Sequence, residues 1–144
     1  MGKKRIIRKS GGTVDSGLKS RSLARGVRKN VGTATLYVQA TFNNTKAILT
    51  DQMGNAIAWS SSGSLGFAGA KKGTPFAAAK VGELIGDKAI QAGVAEASVV
   101  IRGIGSGREA AVRAFSGKGI TITRIADETP MPHNGVRPPR ARRI

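Results

Sequence analysis

Fourteen of the chain's 24 basic residues lie at its two ends, so only the middle is left to build a core. Residues 1–30 carry ten Lys/Arg against one acid, Asp15, and residues 129–144 carry four Arg and no acid. The 98 residues between hold ten bases and seven acids, so only +3 of the formal charge of +16 belongs to the part that can fold. A stretch of that size buries roughly two-thirds of its unfolded surface, enough for one domain without disulfide or metal. Cys is absent, which removes disulfides and thiolate metal sites and fits a reducing compartment.

A nearly neutral body with two basic arms suits a polyanion that surrounds the body. Charge on arms can follow phosphates, and each phosphate neutralised releases condensed counterions. Nucleic acid is the expected partner. The candidate contacts are Arg5, Arg8, Lys9, Arg21, Arg25, Arg28 and Lys29 in the first arm, with Arg137, Arg140, Arg142 and Arg143 in the second. A tail serving solubility alone needs no sign bias, and acids serve that purpose better. A membrane surface requires an amphipathic helix, but Ile6, Ile7, Val14, Leu18, Leu23 and Val27 make no sustained helical stripe. No apolar run approaches the ~20 residues of a span, and the basic N-terminus lacks the apolar stretch of a secretory signal. Aromatics are only 4 % of the chain, too few for a base-stacking platform. Recognition is therefore expected through phosphates, sugars and shape.

The body reads as alternating strands and helices. Thr33–Phe42 alternates, with Leu36, Val38, Ala40 and Phe42 facing one way and Tyr37, Gln39 and Thr41 the other. Asn43-Asn44 predicts a two-residue turn, since Asn tolerates positive φ, and Thr45–Thr50 returns as the second strand. Residues 51–55 turn again, and Ala56–Ser60 is the third strand. A Ser/Gly-rich loop over 60–74 carries Lys71 and Lys72.

Thr74-Pro75 starts a helix as cap and first-turn proline, with Ala77, Val81, Leu84, Ile85, Ala89 and Ala92 as its buried stripe and Gly93 as its end. Gly82 and Gly86 weaken that helix and imply close packing on the sheet. Ala97–Arg102 is the fourth strand. Ser106-x-x-Glu109 reads as a capping box for a second helix bearing Ala111, Ala114 and Phe115 inward, and Ile120 and Ile122 alternating with Thr121 and Thr123 give the fifth strand. The expected fold is an α/β sandwich, β-β-β-α-β-α-β, with a mixed five-stranded sheet. Its boundaries are a basic extension over 1–31, one domain over 32–128 and a Pro/Arg-rich tail over 129–144.

Two enzymatic outlines compete with this. Gly105-Ser106-Gly107-Arg108-Glu109-Ala110 matches Gly-x-Gly-x-x-Ala after a strand, with Asp127 placed 20 residues beyond Gly107. Against a dinucleotide site, the chain has one such unit and ends 17 residues after Asp127. The same glycines and helix start can serve phosphate, and Arg108, unfavourable in a first helical turn, would be explained by a neighbouring phosphate. A two-metal nuclease needs clustered carboxylates, but Asp51 and the Asp127-Glu128 pair end different strands without a third ligand. His133 is the only histidine, so no histidine pair can hold zinc or relay protons. Catalysis is not expected.

Five motifs carry a resemblance: Phe42-Asn43-Asn44-Thr45, Thr74-Pro75-Phe76-Ala77-Ala78, Gly105-Ser106-Gly107-Arg108-Glu109, Thr129-Pro130-Met131-Pro132-His133-Asn134-Gly135, and Arg137-Pro138-Pro139 with Arg142-Arg143. In this order they resemble the bacterial-type small-subunit ribosomal protein S-eleven family over about residues 32–144. The resemblance implies a ribonuclease-H-like fold, no catalysis and no cofactor. It also implies a cytoplasmic place on the platform of the small ribosomal subunit, binding the central domain of small-subunit rRNA and supporting its assembly. Neighbouring platform proteins and messenger RNA near its exit and the Shine-Dalgarno region are the implied surroundings, with no membrane and no small-molecule substrate. Asn43, Asn44, Lys71, Lys72, Arg108, His133 and Asn134 then join the arm bases as RNA-contact candidates. Pro130, Pro132, Pro138 and Pro139 hold the tail extended, and its arginines can grip phosphate bidentately. Three departures stand out: residues 1–31 do not match, Ile104 and Ser106 replace common prolines, and Val136 replaces a frequent cysteine.

Overall fold

Strand β1 is Thr33–Ala40, and its alternation buries Ala34, Leu36, Val38 and Ala40 while Tyr37 and Gln39 face outward. It is the middle of the sheet in a computed structural model that describes residues 30–137 together with Gly17, Ser20 and Pro139. Strands β2 (Thr45–Thr50) and β3 (Ala56–Ser61) continue the meander, each antiparallel to its predecessor. The turn between them is fixed by Asp51, whose carboxylate accepts from Met53 N at 2.9 Å and Asn55 N at 2.8 Å. Helix α1 (Pro75–Gln91), strand β4 (Glu96–Gly103), helix α2 (Gly107–Ser116) and strand β5 (Thr121–Asp127) complete the expected order.

The sheet runs β3-β2-β1-β4-β5, with β4 parallel to β1 and β5 parallel to β4. Long crossovers through helices permit that parallel pairing, and both helices pack on the same face. Leu36, Val38, Leu49, Val81, Leu84, Ile85, Val99 and Phe115 are each at most 1 % exposed and fill the space between the layers. Thr74 caps α1 as predicted, its Oγ1 accepting from Ala77 N at 3.3 Å, and Pro75 occupies the first turn, where a missing N–H costs nothing.

Four local expectations are corrected. The chain leaves the ladder after the Ala40–Thr45 pair, so Phe42 sits at the hairpin tip, 74 % exposed, instead of facing the core. The tip residues are Phe42 and Asn43, closed by Thr41 N donating to Asn44 O at 2.8 Å. Asn134 is the only non-glycine at positive φ among the described residues, so the turn does not use the left-handed freedom of Asn. Gly82 and Gly86 admit α2 and the segment after it, not the sheet: a Cβ on Gly82 would land on the Ala111 carbonyl oxygen, and one on Gly86 on Lys118. Finally, Ser106 makes no capping bond and Glu109 is exposed; Ser106 Oγ instead donates to Gly73 O at 3.0 Å.

Neither α1 nor α2 packs on the opposite face of the sheet. Cross-strand register places Ser61, Lys46, Gln39 and Arg102 in one row and Trp59, Ile48, Tyr37 and Val100 in the next.

Candidate nucleic-acid interface

Because β1, β4 and β5 run parallel, their carboxyl ends lie at one edge of the domain, and both helices begin there. In open α/β sheets this end forms the natural crevice, and helix N-termini bring partial positive charge to it. Four loops meet at this end: the hairpin tip 41–44, the 3₁₀ turn Gly69–Gly73, the 104–106 connection, and the chain leaving β5.

Glycine and hydroxyl contacts hold them together. A Cβ on Gly73 would strike the Phe42 carbonyl oxygen, so the 3₁₀ turn presses directly on the hairpin tip. Gly105 N donates to Ala40 O at 3.0 Å, and Gly103 N to Thr129 Oγ1 at 3.2 Å. Thr74 Oγ1 donates to Lys71 O at 2.7 Å, tying the turn to the start of α1. Asn43, Asn44, Lys71, Lys72 and Arg108, scattered over 66 positions of sequence, thereby share one end of the domain. Asn43 and Lys71 are exposed, while Asn44 and Lys72 are half-buried. Asn44 N donates to Thr41 Oγ1 at 3.1 Å, which fixes its backbone and leaves the side-chain Oδ1 buried without a partner.

Arg108 is engaged. Its guanidinium pairs with the Asp127 carboxylate and donates to Gly103 O at 2.6 Å. The charge expected to await a phosphate has a carboxylate beside it. Asp127 also accepts from Thr129 Oγ1 at 2.6 Å and from Thr129 N at 3.0 Å. The hydroxyl bond first, then Arg108, lowers the pKa of this carboxyl from 3.8 to about 2.

A depressed carboxylate pKa contributes stability that is complete above the unfolded value and is lost as pH falls through the folded one. The Asp127 bonds are therefore expected to be indifferent to pH between about 5 and 8 and to fail only on acidification from about 4 towards 2. A carboxyl-carbon NMR titration of Asp127 checks this; a midpoint near 4 would contradict it.

The dinucleotide outline fails on the same geometry. Cβ atoms on Gly103 and Gly105 would fall on the carbonyl oxygens of Ala40 and Thr41, and one on Gly107 on Thr45 Oγ1. These glycines admit the protein's own hairpin, and Asp127 is occupied by Arg108 and Thr129. The nuclease outline fares no better: Asp87 pairs with Lys118 at 2.7 Å, Glu83 with Lys80 at 2.9 Å and Glu128 with Arg102 at 2.6 Å. Among the described residues no three His, Cys, Asp or Glu gather as metal ligands, and no helix is long and apolar enough to cross a membrane.

His133, Asn134 and Arg137 lie on the tail beyond Thr129, all exposed, with Asn134 at φ 62° completing a turn before Gly135. Arg5, Arg8, Lys9, Arg21, Arg25, Arg28, Lys29, Arg140, Arg142 and Arg143 lie outside the described residues. Two bases escaped the sequence reading. Lys46 and Arg102 flank Gln39 in the last row of the face away from α1 and α2, beside the loop cluster. Alternation against buried Ala47 and Ile101 was the signal that places them there.

Comparison with known proteins adds an independent line. A family model described as Ribosomal protein S11 matches residues 34–143. The chain is also 50 % identical over 118 residues to the small ribosomal subunit protein uS11 of Gloeobacter violaceus, covering 82 % of this chain and 91 % of that relative.

Proposed function

The chain belongs to the ribosomal protein S11 family, a non-enzymatic structural constituent of the small ribosomal subunit, and from that premise we propose that it binds the central, platform domain of small-subunit rRNA and supports its assembly. The observation that carries this reading is the gathering of four loops and two helix N-termini at one end of the sheet, from which the basic tail departs. Asn43, Asn44, Lys71 and Lys72 present donors to sugar and phosphate edges there. His133, Asn134, Arg137, Arg140, Arg142 and Arg143 extend the contact along the tail, and the bases of residues 1–31 add to it. In this reading residues 32–128 are the folded RNA-binding unit. Neighbouring platform proteins and the messenger RNA near its exit surround it, in a cytoplasmic ribosome. Phosphate contacts position such a protein, and shape supplies its specificity.

Removing residues 136–144 deletes all four tail arginines and no residue of the core. The free protein is expected to melt within a few degrees of the full chain, while incorporation into small subunits falls on the order of tenfold or more. Replacing the four arginines by lysine separates geometry from charge, and intermediate incorporation is expected because lysine cannot form the bidentate contact. Full incorporation of the deletion variant would refute the tail's role.

A further inference from the structure

The chain leaves β5 through a compact knot of bonds. Thr129 Oγ1 lies 2.6 Å from Asp127 and 3.2 Å from Gly103 N, and Glu128 N donates to Ile101 O at 2.9 Å. Arg108 reaches from the first turn of α2 to both Asp127 and the Gly103 carbonyl, its side chain 30 % exposed against 50 % for Asp127. The first turn of α2 and the start of the tail therefore meet on one carboxylate at the end of β5, and Gly103 at the end of β4 bonds to both of them. Immediately beyond it come Pro130 and Pro132, whose fixed φ values stiffen the chain and restrict the residues before them. A direction set at Thr129 is thus carried forward along the tail instead of being lost within a residue or two.

We propose that Asp127 is a positioning residue, which by holding Arg108 and Thr129 together sets the direction in which the tail leaves the domain, with Arg108 acting as a strut and not as a phosphate contact. This rests on the reading that the tail binds rRNA. Pre-orientation lowers the ordering entropy to be lost when the tail docks, so it acts on affinity without adding a contact.

The two roles for Arg108 make opposite demands on Asp127→Asn. If Arg108 grips phosphate, removing its acid frees a cation, raises the net charge by one and tightens RNA binding. If the pair is a strut, the same change loosens the tail and weakens binding roughly three- to tenfold at fixed salt, with an unchanged salt slope. A second readout uses the free protein. The chain has no Cys, and Met131 is 81 % exposed, so Met131→Cys takes a single fluorescent label two residues past the knot. Its anisotropy is expected to fall in the Asp127→Asn background, with circular dichroism confirming the fold.

Thr129→Val serves as the second variant, keeping the ion pair while deleting the bridging hydroxyl. It is expected to shift both readouts the same way and by less. Binding by Asp127→Asn as tight as or tighter than the parent, or an unchanged anisotropy, overturns the proposal. A parent chain without salt-dependent affinity for rRNA would instead fail the functional reading, and the label on the free protein would still judge the strut.

Discussion

Affinity of the full chain for small-subunit rRNA is expected to fall on the order of 10³-fold between 50 and 200 mM salt. The estimate takes six phosphate contacts from the 14 basic residues of the two arms, fewer than half of those available. Each contact contributes about 0.7–0.9 to the slope of log affinity against log salt, through counterions released when phosphate is neutralised. The body contributes little net charge, +3 in all, and several of its bases are already paired with acids: Lys80, Arg102, Arg108 and Lys118. The slope should therefore belong to the arms. Filter binding or fluorescence titration at four salt concentrations measures it, and deleting residues 136–144 should remove up to about four contacts' worth of slope. A flat titration would end the electrostatic account.

The second large effect concerns the fold that presents those arms. Gly103→Ala is expected to destabilise the protein by about 3 kcal/mol, lowering its melting temperature by roughly 15 °C. Gly103 adopts φ 99°, a conformation that residues with a Cβ rarely take, and its Cβ would coincide with the Ala40 carbonyl oxygen. Ala40 is fully buried on the central strand, and its carbonyl accepts from Gly105 N at 3.0 Å, so neither partner can move aside cheaply. Because Gly103 also donates to Thr129, the substitution should disturb the start of the tail and weaken RNA binding as well. Gly32→Ala is the control: nothing lies within 4 Å of its added Cβ, and stability should change by less than about 0.5 kcal/mol. A melting temperature for Gly103→Ala close to that of the parent would show that the loop is not pressed onto β1.

Local chemistry made much of this protein legible in its sequence. Period-two alternation placed β1 and its buried Leu36 and Val38, because a pleated strand half-buried against helices must alternate, and the turn after it placed β2 from Thr45 to Thr50 as the returning strand. Thr74-Pro75 announced α1, since a hydroxyl acceptor followed by a residue lacking an N–H satisfies a helix start without any distant partner. The charge asymmetry points to the class of partner, because long-range electrostatics depends on how charge is grouped along the chain.

Tertiary structure decided the rest, wherever a residue's role depends on what comes near it from far along the chain. Phe42 extended the alternation of β1, yet the hairpin turned before it and left it outside the core. Ser106 and Glu109 had the spacing of a capping box, but the Gly73 carbonyl arrived from 33 residues away and took the Ser106 hydroxyl. The glycines of residues 103–107 fit a cofactor fingerprint equally well, and only the approach of the Ala40 and Thr41 carbonyls shows what their missing side chains make room for. Arg108 and Asp127 stand 19 positions apart, and the cofactor outline that spans them gives no reason for them to pair. Their pairing follows from the parallel β4–β5 register, which brings the end of one strand beside the start of the helix after the other. Periodicity and capping are properties of neighbouring residues and survive in one dimension; ion pairs and backbone contacts between distant segments exist only once the sheet order β3-β2-β1-β4-β5 has closed the distance.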